Sequence, residues 1–192
     1  MVLILASHSP RRRELLENAG IKFTVQPAQV DESRRRGEAA ADYVERMARD
    51  KALAAARRAP AGSLVLGADT AVVAAGQVLG KPKDAADAAR MLRLLSGGTH
   101  YVVTGICIVR AAETIEALQH ESTTVVFKPL TETAIQQYIR SGEPLDKAGG
   151  YGIQGLASKF VARVEGSFDN VVGLPVSRVV EMLRALQPGA SD

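Results

Sequence analysis

The sequence predicts an α/β fold in which a mixed central sheet is flanked by helices. Three observations predict it. Apolar runs of strand length alternate with longer amphipathic segments, and clusters of Gly, Pro and Ser stand between them. The chain, 192 residues and 46% hydrophobic, is also long enough to bury one sizeable core. Residues 1–187 are read as one domain, arranged as two lobes around a cleft, and 188–192 as a polar tail that frays. With aromatics at 4% and no Trp, the core is expected to rely on Val, Leu, Ile and Ala.

Val2–Ala6 reads as a buried strand. Ser9-Pro10 then supplies an N-cap and a first-turn proline for a helix through Asn18, with Leu15 and Leu16 inward and Gly20 as its stop. Ile21–Val25 is a second strand, and the polar stretch Gln26–Gly37 is loop. Glu38–Ala59 is the longest helical candidate. Tyr43, Met47 and Lys51 recur at four-residue spacing on one side of it, so Lys51 projects with its stem packed. Leu64–Ala68 is a strand that ends at Asp69-Thr70. Ala71–Ala75, Gly76-Gln77 and Val78-Leu79 follow as strand, turn and strand. Asp84 opens a helix that reaches Leu95. His100–Arg110 and Thr123–Phe127 are strands, and Thr114–Leu118 is ambiguous. A helix over Thr131–Ile139, a strand over Phe160–Val164 and a helix over Pro175–Leu186 complete the set.

Composition narrows the function classes. The formal charge of +3 suits an anionic small molecule as readily as nucleic acid, and no nucleic-acid motif accompanies it, so specific nucleic-acid binding is not expected. The single cysteine, Cys107, excludes an intrachain disulfide and reads as a small buried hydrophobe. The opening residues carry no basic leader, and no apolar run is long enough to span a membrane. A cytoplasmic location is the expectation. The three histidines lack metal-ligand spacing.

Three segments carry candidate chemistry. The turn Ser7-His8-Ser9-Pro10-Arg11-Arg12-Arg13 joins a strand to a helix N-terminus, where free N–H groups and guanidinium donors suit a phosphate. An ordinary basic surface turn is the alternative. Asp69 could hold Mg²⁺, accept a proton from water or cap a turn, and Asp31 and Glu32 offer further hard oxygen ligands. Lys51, Lys81 and Lys147 could each neutralise phosphate charge or simply be solvated. In Glu143–Gly155 the glycines permit close backbone approach. Gln154 carries the donor and acceptor needed to read a base edge, and a plain surface loop competes with that reading.

Seven stretches together resemble the Maf family of nucleoside triphosphate pyrophosphatases. They are Leu5–Arg12, Tyr43–Ala52, Leu66–Thr70, Leu79–Pro82, Leu94–Gly97, Asp146–Gly155 and Asn170–Pro175, in family order along nearly the whole chain. The resemblance implies an inosine triphosphatase-like fold and hydrolysis between the α and β phosphates, giving a nucleoside monophosphate and pyrophosphate. It implies Asp69 as catalytic base and a bearing of Arg12, Thr70 and Gln154 on base selection. It places Ser7, Lys51 and Lys81 around the phosphates, Asp146 and Lys147 in the substrate loop, and Glu32 with Asp69 at a divalent metal, Mg²⁺ or Mn²⁺. Arg12 and the Gly-Ile-Gln-Gly segment match the branch that prefers dTTP and UTP, and a homodimer is implied. The rival from another class is a non-catalytic nucleotide-binding regulator of cell division or growth.

Overall fold

The structure, a computed structural model, describes residues 2–113 and 115–186. The expected polar tail, 188–192, lies outside them, as does Thr114. β1 (Leu3–Leu5) runs into α1 (Pro10–Asn18), whose Ser9 cap accepts the Arg12 N–H, and Gly20 leaves the helix at φ 69°. β2 (Phe23–Val25), α2 (Ala40–Ala56), β3 (Leu64–Ala74) and β4 (Gln77–Leu79) follow. α3 (Ala85–Leu95) starts where the Asp84 carboxylate accepts the Asp87 N–H at 2.7 Å. Then come β5 (Thr99–Arg110), β6 (Ile115–Phe127), α4 (Glu132–Arg140), β7 (Val161–Glu165), α5 (Phe168–Val172) and α6 (Val176–Ala185).

The seven strands form one mixed sheet in the order β2-β1-β3-β5-β6-β7, with β4 paired to β3. β1 is parallel to both β2 and β3. The β3–β4 and β6–β7 pairs are antiparallel. β3 and β6 run longer than the sequence suggests, whereas β1 and β2 are shorter. β3 does not stop at Ala68: β1 pairs with it over Leu64–Leu66 and β4 over Val72–Ala74, so ladder bonds support both ends. Asp69 therefore lies within a strand, three residues past the last β1 pair. β6 is continuous, although its polar run Gln119-His120-Glu121-Ser122 imitates a break. His120 and Glu121 engage Glu45 and Arg178 instead of interrupting the strand. The β3–β4 turn is Ala75-Gly76, both at positive φ, as a tight hairpin of this twist requires. The short helix α5 has no counterpart in the sequence reading.

The chain divides into two compact units. The first comprises residues 2–69, the described part of 104–121, and 173–186. It packs small side chains: Ile4, Ala6, Ala48, Ala52, Ala55, Val65, Cys107 and Val109 are all buried together. Burial pushes the Cys107 thiol up to about 12, so it is an inert filler, as expected. α2 lies directly on the backbone of β3 and β5. A Cβ at Gly67 would overlap the Ala48 carbonyl oxygen, and one at Gly105 the Val44 carbonyl oxygen. Only glycine admits that approach.

The second unit comprises 70–103 and 122–172. Its buried side chains are mainly aliphatic, as expected, and an aromatic cluster is added to them. Four of the chain's eight aromatic residues form a linked cluster that includes His100. Phe127 meets His100 and Tyr151 edge-on at 4.9 and 4.8 Å, and Phe160 meets Tyr138 at 5.4 Å. A low aromatic total does not fix where those residues collect.

Candidate active site

In the first unit, the turn after β1 closes on itself. Ser7 Oγ accepts the Ser9 N–H at 3.1 Å and an Arg12 Nη1 proton at 3.3 Å. Of the three consecutive arginines, Arg12 is the buried one. Its Nε donates to the Gly173 carbonyl and its Nη1 to the Ala68 carbonyl, both at 2.8 Å. Burial lowers its pKa, against the opposing charge of Asp69. Arg12 thus ties the α1 N-terminus to the backbone one residue before Asp69. Arg13 points out and meets Glu17.

Lys51 sits where the four-residue spacing on α2 puts it, with its side chain 11% exposed. Its ammonium stands between two carboxylates, 2.7 Å from Asp69 Oδ1 and 2.6 Å from Glu32 Oε1. Asp31 is turned to its own loop, accepting the Ser33 N–H at 2.9 Å, a bond that lowers its pKa. Of the two neighbouring acids, Glu32 is therefore the one that joins Asp69.

Residues 26–39 form an irregular segment, and two α2 side chains missed by sequence reasoning hold it. Tyr43 Oη donates to the Glu32 carbonyl at 3.0 Å, and Arg46 Nη2 to the Ser33 carbonyl at 3.0 Å. Arg46 also grips the Glu38 carboxylate with Nε and Nη2 at 2.6 and 2.7 Å. That fork holds the Glu38 carboxyl down at about 2. Burial, with the negative charges of Asp69 and Glu32, pushes the Tyr43 phenol up to about 12. The spacing that singled out Lys51 contained Tyr43, but nothing local in sequence pairs Arg46 with a residue eight positions earlier.

In the second unit, Thr70 continues β3 and is half-buried, and Lys81 is exposed after β4. Gly80, next to Lys81, accepts the Gly149 N–H at 3.0 Å, which fastens the glycine-rich loop to this segment. Gly149 has φ 70°, and an added Cβ would stand 2.8 Å from Val72 Cγ2. Lys147 Nζ turns into its own loop, donating to the Glu143 carbonyl at 2.8 Å and to Asp146 Oδ1 at 2.6 Å. Tyr151 and Ile153 are buried, whereas Gln154 is exposed. Tyr151 Oη lies 2.8 Å from His100 Nε2, and burial drops the His100 imidazole to about 4.

A divalent cation fits the donors of the first unit. Among the described residues no group of three or more His, Cys, Asp or Glu side chains forms an all-protein cage. Glu32 and Asp69 instead present two hard oxygen donors around one cationic point, now held by Lys51. Mg²⁺ is commonly bound by one or two carboxylates, with phosphates and waters completing its shell.

Relatives agree over nearly the full length. A protein named dTTP/UTP pyrophosphatase from Koribacter versatilis is 51% identical over 184 residues, covering 96% of this chain and 94% of its own. One of the same name from an Anaeromyxobacter species is 54% identical over 185 residues, covering 95% and 88%. Another, from Moorella thermoacetica, is 53% identical over 184 residues, covering 94% and 93%. Among solved structures, a nucleoside-triphosphatase / dITP/XTP pyrophosphatase from Mycobacterium abscessus superposes with a TM-score of 0.45 at 13% identity, covering all of both chains. Residues 2–186 match the family described as "Maf-like protein", and the chain belongs to the Maf family.

Proposed function

We propose that this protein hydrolyses dTTP and UTP to the nucleoside monophosphate and pyrophosphate. The observation that carries the reading is the convergence of Asp69 and Glu32 on the Lys51 ammonium, in a chain about half identical to proteins of that name. Asp69 takes a proton from a water molecule, whose oxygen then bonds to the α-phosphorus. The bond from that phosphorus to the α–β bridging oxygen breaks, and the bridging oxygen leaves with pyrophosphate. Glu32 and Asp69 are the residues that would hold a divalent cation, which when bound neutralises triphosphate charge and makes water more acidic. Lys51 and Lys81 offset charge on the phosphate oxygens, and Ser7 supplies a hydroxyl donor. Arg12 fixes the turn beside Asp69, a supporting task alongside its bearing on base selection. Gln154, with Thr70, discriminates the base, and Asp146 and Lys147 shape the loop that carries Gln154. Positioning and electrostatic stabilisation of this kind do most of the work in phosphoryl transfer.

We place the enzyme in the cytoplasm as a homodimer; among the described residues no helix is long and apolar enough to cross a membrane. The test is pyrophosphate release from dTTP, UTP, CTP and GTP with Mg²⁺ or Mn²⁺ supplied or chelated. Asp69→Asn should lose roughly 10²–10⁴-fold in kcat, the range of a general base, and still melt cooperatively. Near-normal turnover by that variant removes Asp69 from the role. Tight dTTP binding without turnover by the unmodified protein would favour a nucleotide-binding regulator instead.

A further inference from the structure

The segment that bears Gln154 is closed by two side chains assigned no part in the reaction so far. Glu143 follows α4 and bonds with both carboxylate oxygens, one to α4 and one to the loop. Oε1 accepts the Tyr138 hydroxyl at 3.0 Å, and Oε2 accepts the Leu156 N–H at 3.0 Å. The Tyr138 oxygen in turn accepts the Gly152 N–H at 3.2 Å. These bonds form a closed clasp on residues 152–156, with Gln154 at its centre. The glycines are shaped to it: a Cβ at Gly155 would overlap the Glu143 carboxylate, and one at Gly152 would lie 2.6 Å from Lys147 Cε. Tyr138 is only 3% exposed and packs edge-on against Phe160, so its hydroxyl is a fixed point. Inside the clasp Ile153 is buried and the next side chain, Gln154, faces out.

We propose that Glu143 and Tyr138 are positioning residues for base selection, clasping residues 152–156 so that the Gln154 amide is presented already ordered. The inference rests on the base-reading role given to Gln154 above. The amide of Gln154 tells bases apart only if its donor and acceptor ends are fixed. A loop free to shift would let the amide follow a wrong base and would lower discrimination more than turnover.

The test uses the full chain and four variants: Tyr138→Phe, Glu143→Gln, Glu143→Ala and Gln154→Ala. Two quantities are measured: amide hydrogen exchange over 152–156 without nucleotide, and kcat and KM for dTTP, UTP, CTP and GTP. Tyr138→Phe retains the ring packed on Phe160 and removes only the hydroxyl. It should speed exchange at Gly152 and shrink the dTTP-to-CTP ratio of kcat/KM by roughly 3- to 10-fold, about one hydrogen bond, carried by KM. Glu143→Ala should speed exchange at Leu156 as well and shrink the ratio further. Glu143→Gln, which retains an acceptor for Leu156, should recover part of both. Unchanged exchange in Tyr138→Phe and Glu143→Ala overturns the clasp. Faster exchange with an unchanged ratio, where Gln154→Ala does flatten it, overturns the positioning role alone. An unchanged ratio in Gln154→Ala overturns the underlying base-reading assignment, a failure told apart because it appears without touching the clasp.

Discussion

The charged segment 26–39 and the glycine-rich loop 143–156 both carry candidate chemistry, and neither contains an α-helix or a strand, although short 3-10 turns run through the second. They are held in different ways. The first is gripped from outside by α2: Tyr43 and Arg46 take its backbone carbonyls, and the Arg46–Glu38 fork closes it. The second is held mainly by fit. Lys147 and Glu143 fill the space that Gly152 and Gly155 leave open, and Tyr151 and Ile153 are buried. Tyr138 of α4 bonds both Glu143 and the Gly152 N–H. A loop braced by charge tolerates changes of side-chain shape and answers to salt and pH. A loop braced mainly by fit tolerates almost no added volume and answers less to salt.

The largest expected effect comes from breaking fit. Gly155→Ala drives a Cβ into the Glu143 carboxylate. It should cost about 1–3 kcal/mol in urea unfolding, with the loss insensitive to ionic strength. Loss of most of that cost in the double variant Gly155→Ala, Glu143→Ala would confirm the source. The charge-braced loop should respond more gently. Arg46→Met keeps the stem but frees Ser33 and Glu38, and should raise the Mn²⁺ concentration for half-saturation by roughly 3- to 10-fold, read by paramagnetic resonance without nucleotide. No shift there would separate the Arg46 brace from Glu32.

Acid separates the two regions by pH window. His100 of the second unit has its folded pKa lowered to about 4 from 6.5. The unfolded chain therefore takes up the proton first, and stability falls as pH drops from about 6.5 to about 4, by up to about 3 kcal/mol. His100→Gln should flatten that part of the profile. Glu38 is held at about 2, below its ordinary 4.5. Its contribution is present above pH 4.5 and is lost as pH falls towards 2, so Glu38→Gln should flatten only that lower window. Urea midpoints across pH measure both.

Local chemistry made parts of this legible in the sequence. Ser9, Asp84 and Thr131 cap helices because each cap is written within four residues. Lys51 was found because helical spacing fixes its face. What was not legible depends on partners distant in sequence. Asp69 reads as a strand end because Gly67 and the polar pair Asp69-Thr70 interrupt the apolar run, whereas β4 pairing carries the strand onward. Glu143 looks like one more acid in a polar loop until the absent side chain at Gly155 shows what fills its place. The choice between Asp31 and Glu32 was open because adjacent residues in a loop have no fixed periodicity. It is the Ser33 N–H that occupies Asp31.

The two bare contacts of α2 on the sheet, at Gly67 and Gly105, act as a mechanical datum. Backbone resting on backbone has no rotamers to adjust, so the helix is indexed along the strands independently of the side chains that fill the core around it. Lys51 lies three residues after Ala48, and Asp69 two residues after Gly67. Their separation is therefore inherited from main-chain geometry. Apolar residues of the first unit can drift through substitution over many generations while ammonium and carboxylate still meet, provided those two glycines stay.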